Sequence, residues 1–206
     1  MPLGANKAAI MGVAGTAATA DVVLLSTQTA SDSASISFTS DITSTYGEYI
    51  FKFYNINPET SGAEFTFQVN ATDGADYNDS NITSTWFNSQ QQENATNAQI
   101  GYQGGLDLAE SASFMNLMYA MGTESDESGA GELHLFNPAS TTYVKHFYAR
   151  TQVYTQNDQA HDNFIGGYIN DTTAIDDSQC FALNLYQLHN QARQYHHLQY
   201  DMPEKS

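Results

Sequence analysis

The chain has 206 residues, with 23 acidic against 6 basic side chains and a formal net charge of −17. Such an acidic protein is expected to have no nucleic-acid or membrane partner, because binding to nucleic acid or an anionic membrane needs cationic side chains. A single cysteine, Cys180, excludes an internal disulfide framework, so the fold must rest on an apolar core. Aromatic residues make up 12% of the chain, which favours β-sheet.

Residues 1–20 are rich in Ala, Gly and Thr and are predicted to form a flexible N-terminal arm. The triplet Ala18-Thr19-Ala20 is similar to a signal-peptide cleavage site, although the apolar run before it is weak. No stretch has the roughly 18 apolar residues of a membrane span. Residues 21–186 are predicted to form a single β-sandwich domain, followed by an atypical C-terminal tail at 187–206.

Alternation of apolar and polar residues predicts most of the strands. It is strict in GAEFTFQVNA, where Phe65, Phe67 and Val69 share one face. In DNFIGGYIN, the pair Gly166-Gly167 predicts a bulge or a close approach of two backbones. About eight to ten strands are expected, and their burial requires an all-β, two-sheet antiparallel sandwich of jelly-roll or Greek-key topology. The other predicted strands lie near 22–27, 33–39 and 46–57, from 82 onward, and at 132–137, 142–154 and 174–186.

Two stretches do not alternate. Residues 88–112 are rich in Gln and Asn and are predicted to form one long loop, which in a compact domain is functional or disordered. Residues 113–122, SFMNLMYAMG, have apolar positions at helical spacing but also fit a strand.

The stretch GELHLFNPASTTYVKHFYAR, residues 131–150, predicts a hairpin. Pairing around its polar loop would bring Glu132 near Arg150 and His134 near His146. Cross-strand polar pairs on a sheet face are the simple interpretation. A zinc site would need a third or fourth ligand, and no HExxH motif is present.

Three aromatic residues near the long polar loop are candidates for glycan or surface contact, since aromatic faces stack on sugars. They are Tyr77, Trp86 and Tyr102, with core packing the other interpretation of Trp86. The acidic turn 73–79 has oxygen ligands of the kind that calcium prefers, but its spacing does not match an EF-hand and a solvated turn is expected. The C-terminal His189, His196 and His197 fall on one face of a helix, although a plain tail or short helix is the simpler interpretation.

No catalytic motif is found: GxSxG, the P-loop and the dinucleotide fingerprint are all missing from the sequence. We therefore expect no enzymatic activity and no cofactor.

Three blocks, MPLGANKAAIMGVAG, STYGEYIFKFYNINPET and AGELHLFNPASTTYVKHFYAR, resemble small virion structural proteins of marine tailed bacteriophages. The likeness covers about residues 1–180. It implies a non-enzymatic tail-fibre or capsid-decoration module in the virion, with other virion proteins and host-surface glycans as partners. It also implies a homo-oligomer, with a trimer favoured, and it supplies no catalytic residues.

The sequence departs from this family after about Cys180, where NLYQLHNQARQYHHLQY stands in place of a last strand. A reading-frame slip would explain the change. Two other functions stay open: a secreted bacterial carbohydrate-binding module, and a metal-dependent hydrolase in which His134, His146 and an acid converge on an ion.

Overall fold

A computed structural model describes residues 22–31, 33–71, 77, 80–183 and 193–200, and for 176–183 and 193–200 it describes the backbone alone. These residues form twelve strands and no helix, and every strand pair is antiparallel. The predicted all-β antiparallel architecture is confirmed. The strands are β1 (Val22–Ala30), β2 (Ser35–Phe38), β3 (Glu48–Ile56), β4 (Ala63–Ala71), β5 (Ile82–Gln92), β6 (Ala98–Tyr102), β7 (Met115–Met121), β8 (Gly129–Phe136), β9 (Lys145–Thr155), β10 (Gln159–Ile169), β11 (Ile175–Leu183) and β12 (Arg193–Tyr200).

The strands are arranged in two layers. An eight-stranded sheet has the order β1-β12-β3-β8-β9-β10-β5-β6, and a four-stranded sheet has the order β7-β4-β11-β2. In the described residues strand pairing joins the two sheets at one place, where Met121 of β7 lies opposite Thr155 of β9, so the pairing is continuous over all twelve strands. The rings of Phe67 and Phe147, one from each sheet, meet edge to face with centroids 5.0 Å apart. The apolar core therefore lies between the two sheets.

The chain crosses repeatedly between the layers. Strands β2, β4, β7 and β11 are separated in sequence, yet together they form the four-stranded sheet. Each of the connections between them passes through the eight-stranded sheet, an alternation typical of a jelly roll. The consecutive strands β8, β9 and β10 form a meander that widens the larger sheet.

Two stretches differ from their predictions, and in a third, residues 113–122, one of the two predicted forms is found. Residues 88–112 contain the end of β5 and all of β6 instead of one long loop. Residues 113–122 contain strand β7 and no helix. In the predicted tail, residues 193–200 form β12 between β1 and β3, so the prediction of a plain tail or short helix is wrong there. The arm 1–20 and the rest of the tail lie outside the described residues.

Of the two structures predicted for the glycine pair of β10, a bulge or a close approach of backbones, the second is found. The register between β10 and β5 has no shift, so no bulge forms. A Cβ on Gly167 would run into the main chain at Thr83 and Ser84, whereas Gly166 has open space at that position. The predicted close approach of two backbones is confirmed.

Candidate functional site

The outer face of the eight-stranded sheet is the face turned away from the smaller sheet. Alternate residues of each strand display their side chains there. The pairing register aligns one residue from each of six neighbouring strands in a single row. This outer row consists of Lys52, Glu132, Arg150, Phe164, Phe87 and Tyr102. Its charged half and its aromatic half meet between β9 and β10.

Arg150 is held in place from two sides. Its Nε donates to Asp162 Oδ1 at 3.1 Å and its Nη2 to Asp162 Oδ2 at 2.8 Å, a bidentate pair. Its guanidinium carbon lies 4.9 Å from the centre of the Phe164 ring, a cation–π distance. The hydrogen bond to Asp162 raises the pKa of Arg150 above its ordinary value, so the side chain stays charged. Phe164 in turn stacks on Phe87, with centroids 5.0 Å apart and rings 4° from parallel.

Glu132 occupies the centre of a charged chain on β3 and β8. Its Oε2 lies 3.2 Å from Lys52 Nζ, and its Oε1 lies 3.3 Å from His134 Nε2. Burial alone would raise the pKa of Glu132, but the hydrogen bonds and charges of Lys52 and His134 outweigh it and lower the pKa. On its other side the His134 ring has Nδ1 2.6 Å from Glu48 Oε1. It also stacks on Tyr148 at 4.3 Å between centroids.

A hollow of about 380 Å³ opens on the outer face beside these charged groups. We call it the Arg150 hollow. Ala130, a short side chain on the outer face of β8, lines the hollow together with Tyr54 and Gln152. Donors and acceptors surround it at close range: its charged lining residues are Lys52, Glu132, Arg150 and Asp162.

A second hollow, of about 480 Å³, adjoins the first and shares Ala130 and Gln152 with it. We call it the Tyr154 hollow, because the Tyr154 ring and the carboxylate of Glu93 line it. The hydrogen bond to Glu93 raises the pKa of Tyr154 to about 12, so its hydroxyl stays protonated well above neutral pH. The two hollows form one concave strip across β3, β8, β9, β10 and β5.

The three aromatic residues predicted for surface contact have different positions. Trp86 is 0% exposed and its Nε1 donates to Asn116 O at 3.1 Å. It is a core residue that joins the two sheets, and the prediction of a contact role is wrong for it. Tyr102 is 57% exposed and ends the outer row, where its hydroxyl donates to Asp107. Tyr77 is half-buried, in a bend between β4 and β5.

The predicted hairpin forms, but it pairs its histidines differently. Glu132 lies opposite Arg150, as predicted. His134 lies opposite Tyr148, and the exposed His146 contacts Tyr168 instead, so the two histidines do not converge. Among the described residues no cluster of three or more His, Cys, Asp or Glu could hold a metal ion. The acidic turn predicted as a calcium candidate lies almost wholly outside the described residues.

The sequence prediction missed Asp162 and Phe164, the two residues that fix Arg150. A signal was present, because β9 alternates along its whole length, the first part of β10 alternates too, and the two strands are joined by a short turn. Folding these two strands onto each other would have placed Phe164 opposite Arg150 and Asp162 one position away on the same face.

Comparisons with known proteins add no relative: no family model, no curated protein and no solved structure matches this chain. In the part of the chain that the structure describes, no helix is long and apolar enough to cross a membrane.

Proposed function

We propose that this protein is a non-enzymatic bacteriophage virion protein, a fibre or decoration module that contacts host-surface glycans through the Arg150 hollow. The resemblance of three sequence blocks to phage structural proteins supports the virion assignment. The glycan contact rests on one observation, the Arg150–Asp162 pair fixed against Phe164 at the edge of a hollow. Its partners are other virion proteins, further copies of itself and host glycans.

The chemistry of the hollow suits a sugar. A hydroxyl group both donates and accepts hydrogen bonds, and the hollow offers carboxylate acceptors next to ammonium and guanidinium donors. These groups are already held by one another, so little side-chain freedom is lost when a ligand binds. The Tyr54 ring in the lining supplies an apolar surface for the carbon face of a sugar ring.

The charge of the hollow favours a neutral sugar over an acidic one. Lys52 is paired with Glu132 and Arg150 with Asp162, so neither cation is without a counter-charge. The remainder of the molecule is strongly acidic and repels anionic ligands at long range. We therefore expect unmodified hexoses to bind and sulfated or uronic acid sugars to bind more weakly.

A glycan array with matched variants tests the contact. Tyr54→Ala removes a side chain that lines the hollow and is 43% exposed. Tyr119→Ala removes a tyrosine of almost equal exposure, 41%, from the smaller sheet. The proposal expects wild type and Tyr119→Ala to bind the same neutral glycans, and Tyr54→Ala and Arg150→Ala to lose them. Equal binding by all four proteins, or no binding by wild type, would contradict the glycan contact.

The virion assignment has its own test. Peptide mass spectrometry of purified phage particles that encode this sequence should recover the chain in amounts comparable to other structural proteins. The same hollow would serve a secreted bacterial carbohydrate-binding module, the second candidate function. A mature N-terminus at Asp21, with no association with particles, would favour that module over the virion protein.

A further inference from the structure

Strand β6 leaves one edge of the larger sheet open. Within the described residues it pairs with β5 alone. Gln103 N donates to Trp86 O at 2.9 Å, and this bonded pair sets the alternation of the antiparallel ladder. By that alternation three residues of β6 turn their N–H and C=O groups away from the sheet, namely Ala98, Ile100 and Tyr102.

The side chains of this edge are unusually apolar for an exposed strand. Ile100 is 74% exposed. Edge strands are commonly protected by charges, proline, bulges or short length. Two other edges of the described sheets have such features: β1 shifts register between Leu24 and Ser26, and β2 is only four residues long. Strand β6, with the sequence AQIGY, is also short at five residues, but it pairs regularly and contains no charge, proline or bulge.

The edge also has few charged side chains for such an acidic protein. Residues 82–106 include only one, Glu93, although the whole chain has a net charge of −17. The next charge along the chain is Asp107, whose carboxylate accepts a hydrogen bond from the Tyr102 hydroxyl. Two copies of such a protein repel each other wherever their acidic surfaces meet. A surface with few charges is where a second copy can approach, and a partner of opposite charge would gain little there.

We propose that β6 pairs antiparallel with β6 of a second copy of this chain, across a two-fold axis that passes beside Ile100. Ile100 then lies opposite the partner's Ile100, and Ala98 lies opposite the partner's Tyr102, a small side chain facing a large one. The outward-facing groups of both strands form about six main-chain hydrogen bonds. The two larger sheets become one continuous sheet with equivalent outer faces.

Light scattering on the full-length chain and two matched variants tests this pairing. Wild type should have the mass of two chains or of an even multiple. Ile100→Lys sets two like charges directly opposite each other and should halve that mass. Tyr143→Lys makes the same charge change at a residue that is 70% exposed in the loop between β8 and β9, and should leave the wild-type mass unchanged.

A charge swap distinguishes the loss of pairing between copies from the misfolding of a variant. Ile100→Glu alone should behave like Ile100→Lys, and an equimolar mixture of the two variants should regain the two-chain mass as a mixed dimer. Added salt should strengthen the wild-type dimer, because it screens the repulsion between the acidic bodies. A wild type that is monomeric or trimeric would overturn the proposal. The proposal would also be overturned if Ile100→Lys kept the mass of wild type, or if the mixture of the two variants stayed monomeric.

Discussion

Gly131 controls how closely β8 approaches β9 beneath the Arg150 hollow. A Cβ at this position would lie 2.5 Å from Arg150 O and 2.6 Å from Thr151 Cα. Both are main-chain atoms, so no side-chain rotation relieves the contact and the strands themselves must shift. Overpacking of this kind costs about 1–3 kcal/mol. For a chain of this size that lowers the Tm by roughly 2–4 °C per kcal/mol.

Urea unfolding of Gly131→Ala and Gly166→Ala measures this cost against a matched control. Gly166 also lies in a strand of the larger sheet, but a Cβ there meets no atom within 4 Å. The control should be equal to wild type or more stable by up to about 1 kcal/mol, because alanine restricts the unfolded chain. Equal free energies of unfolding for the two variants would refute the argument from backbone contact.

Three further predictions concern buried or restrained groups. Trp86, the only tryptophan, should emit at short wavelength, resist acrylamide quenching and stay unchanged when a glycan is added. With its pKa raised to about 12, Tyr154 should stay protonated when free tyrosines ionise at about pH 10. Ultraviolet titration of wild type against Tyr154→Phe measures this ionisation. The stabilising contribution of Tyr154 is complete below about pH 10 and is lost as the pH rises towards 12, which the free energies of unfolding of the two proteins at each pH measure. Lys145→Met should lower the free energy of unfolding by about 1–3 kcal/mol, because the buried ammonium donates to the main-chain oxygens of Asp171 and Thr173.

The strands that the sequence predicted best are those with one face in the core. Strand β9 alternates buried and exposed residues along nearly its whole length, so its period alone identifies it, and the pairing of Glu132 with Arg150 follows from the hairpin. Strand β6 is five residues long and has no buried residue, so its short alternation does not stand out from the polar stretch around it. Strand β6 is held by its hydrogen bonds to β5, and the sequence of a single segment does not show which other strand it pairs with.

The sequence of strand β7 fitted both a helix and a strand, for a different reason. Leu117 and Met118 are consecutive and both fully buried, a pattern that a regular strand with one exposed face does not produce. Register shifts against β4 and a positive φ of 54° at Ala120 break the alternation. The resulting apolar spacing imitates that of a helix. The sequence also did not reveal the hollows, because their lining combines residues of the consecutive strands β8, β9 and β10 with residues of β3 and β5, which are distant from them in sequence.

The two proposals together make one quantitative expectation about avidity. Pairing through β6 would place two Arg150 hollows on the outer face of one continuous sheet, so a surface with many glycans could engage both. Two linked sites exceed the affinity of a single site by about 10²-fold or more when the geometry allows both to bind. Ile100→Lys should then keep the wild-type affinity for a free oligosaccharide but bind a glycan-coated surface about 10²-fold more weakly. If the variant lost affinity for both ligands equally, the β6 edge would belong to the sugar site itself and not to a contact between copies.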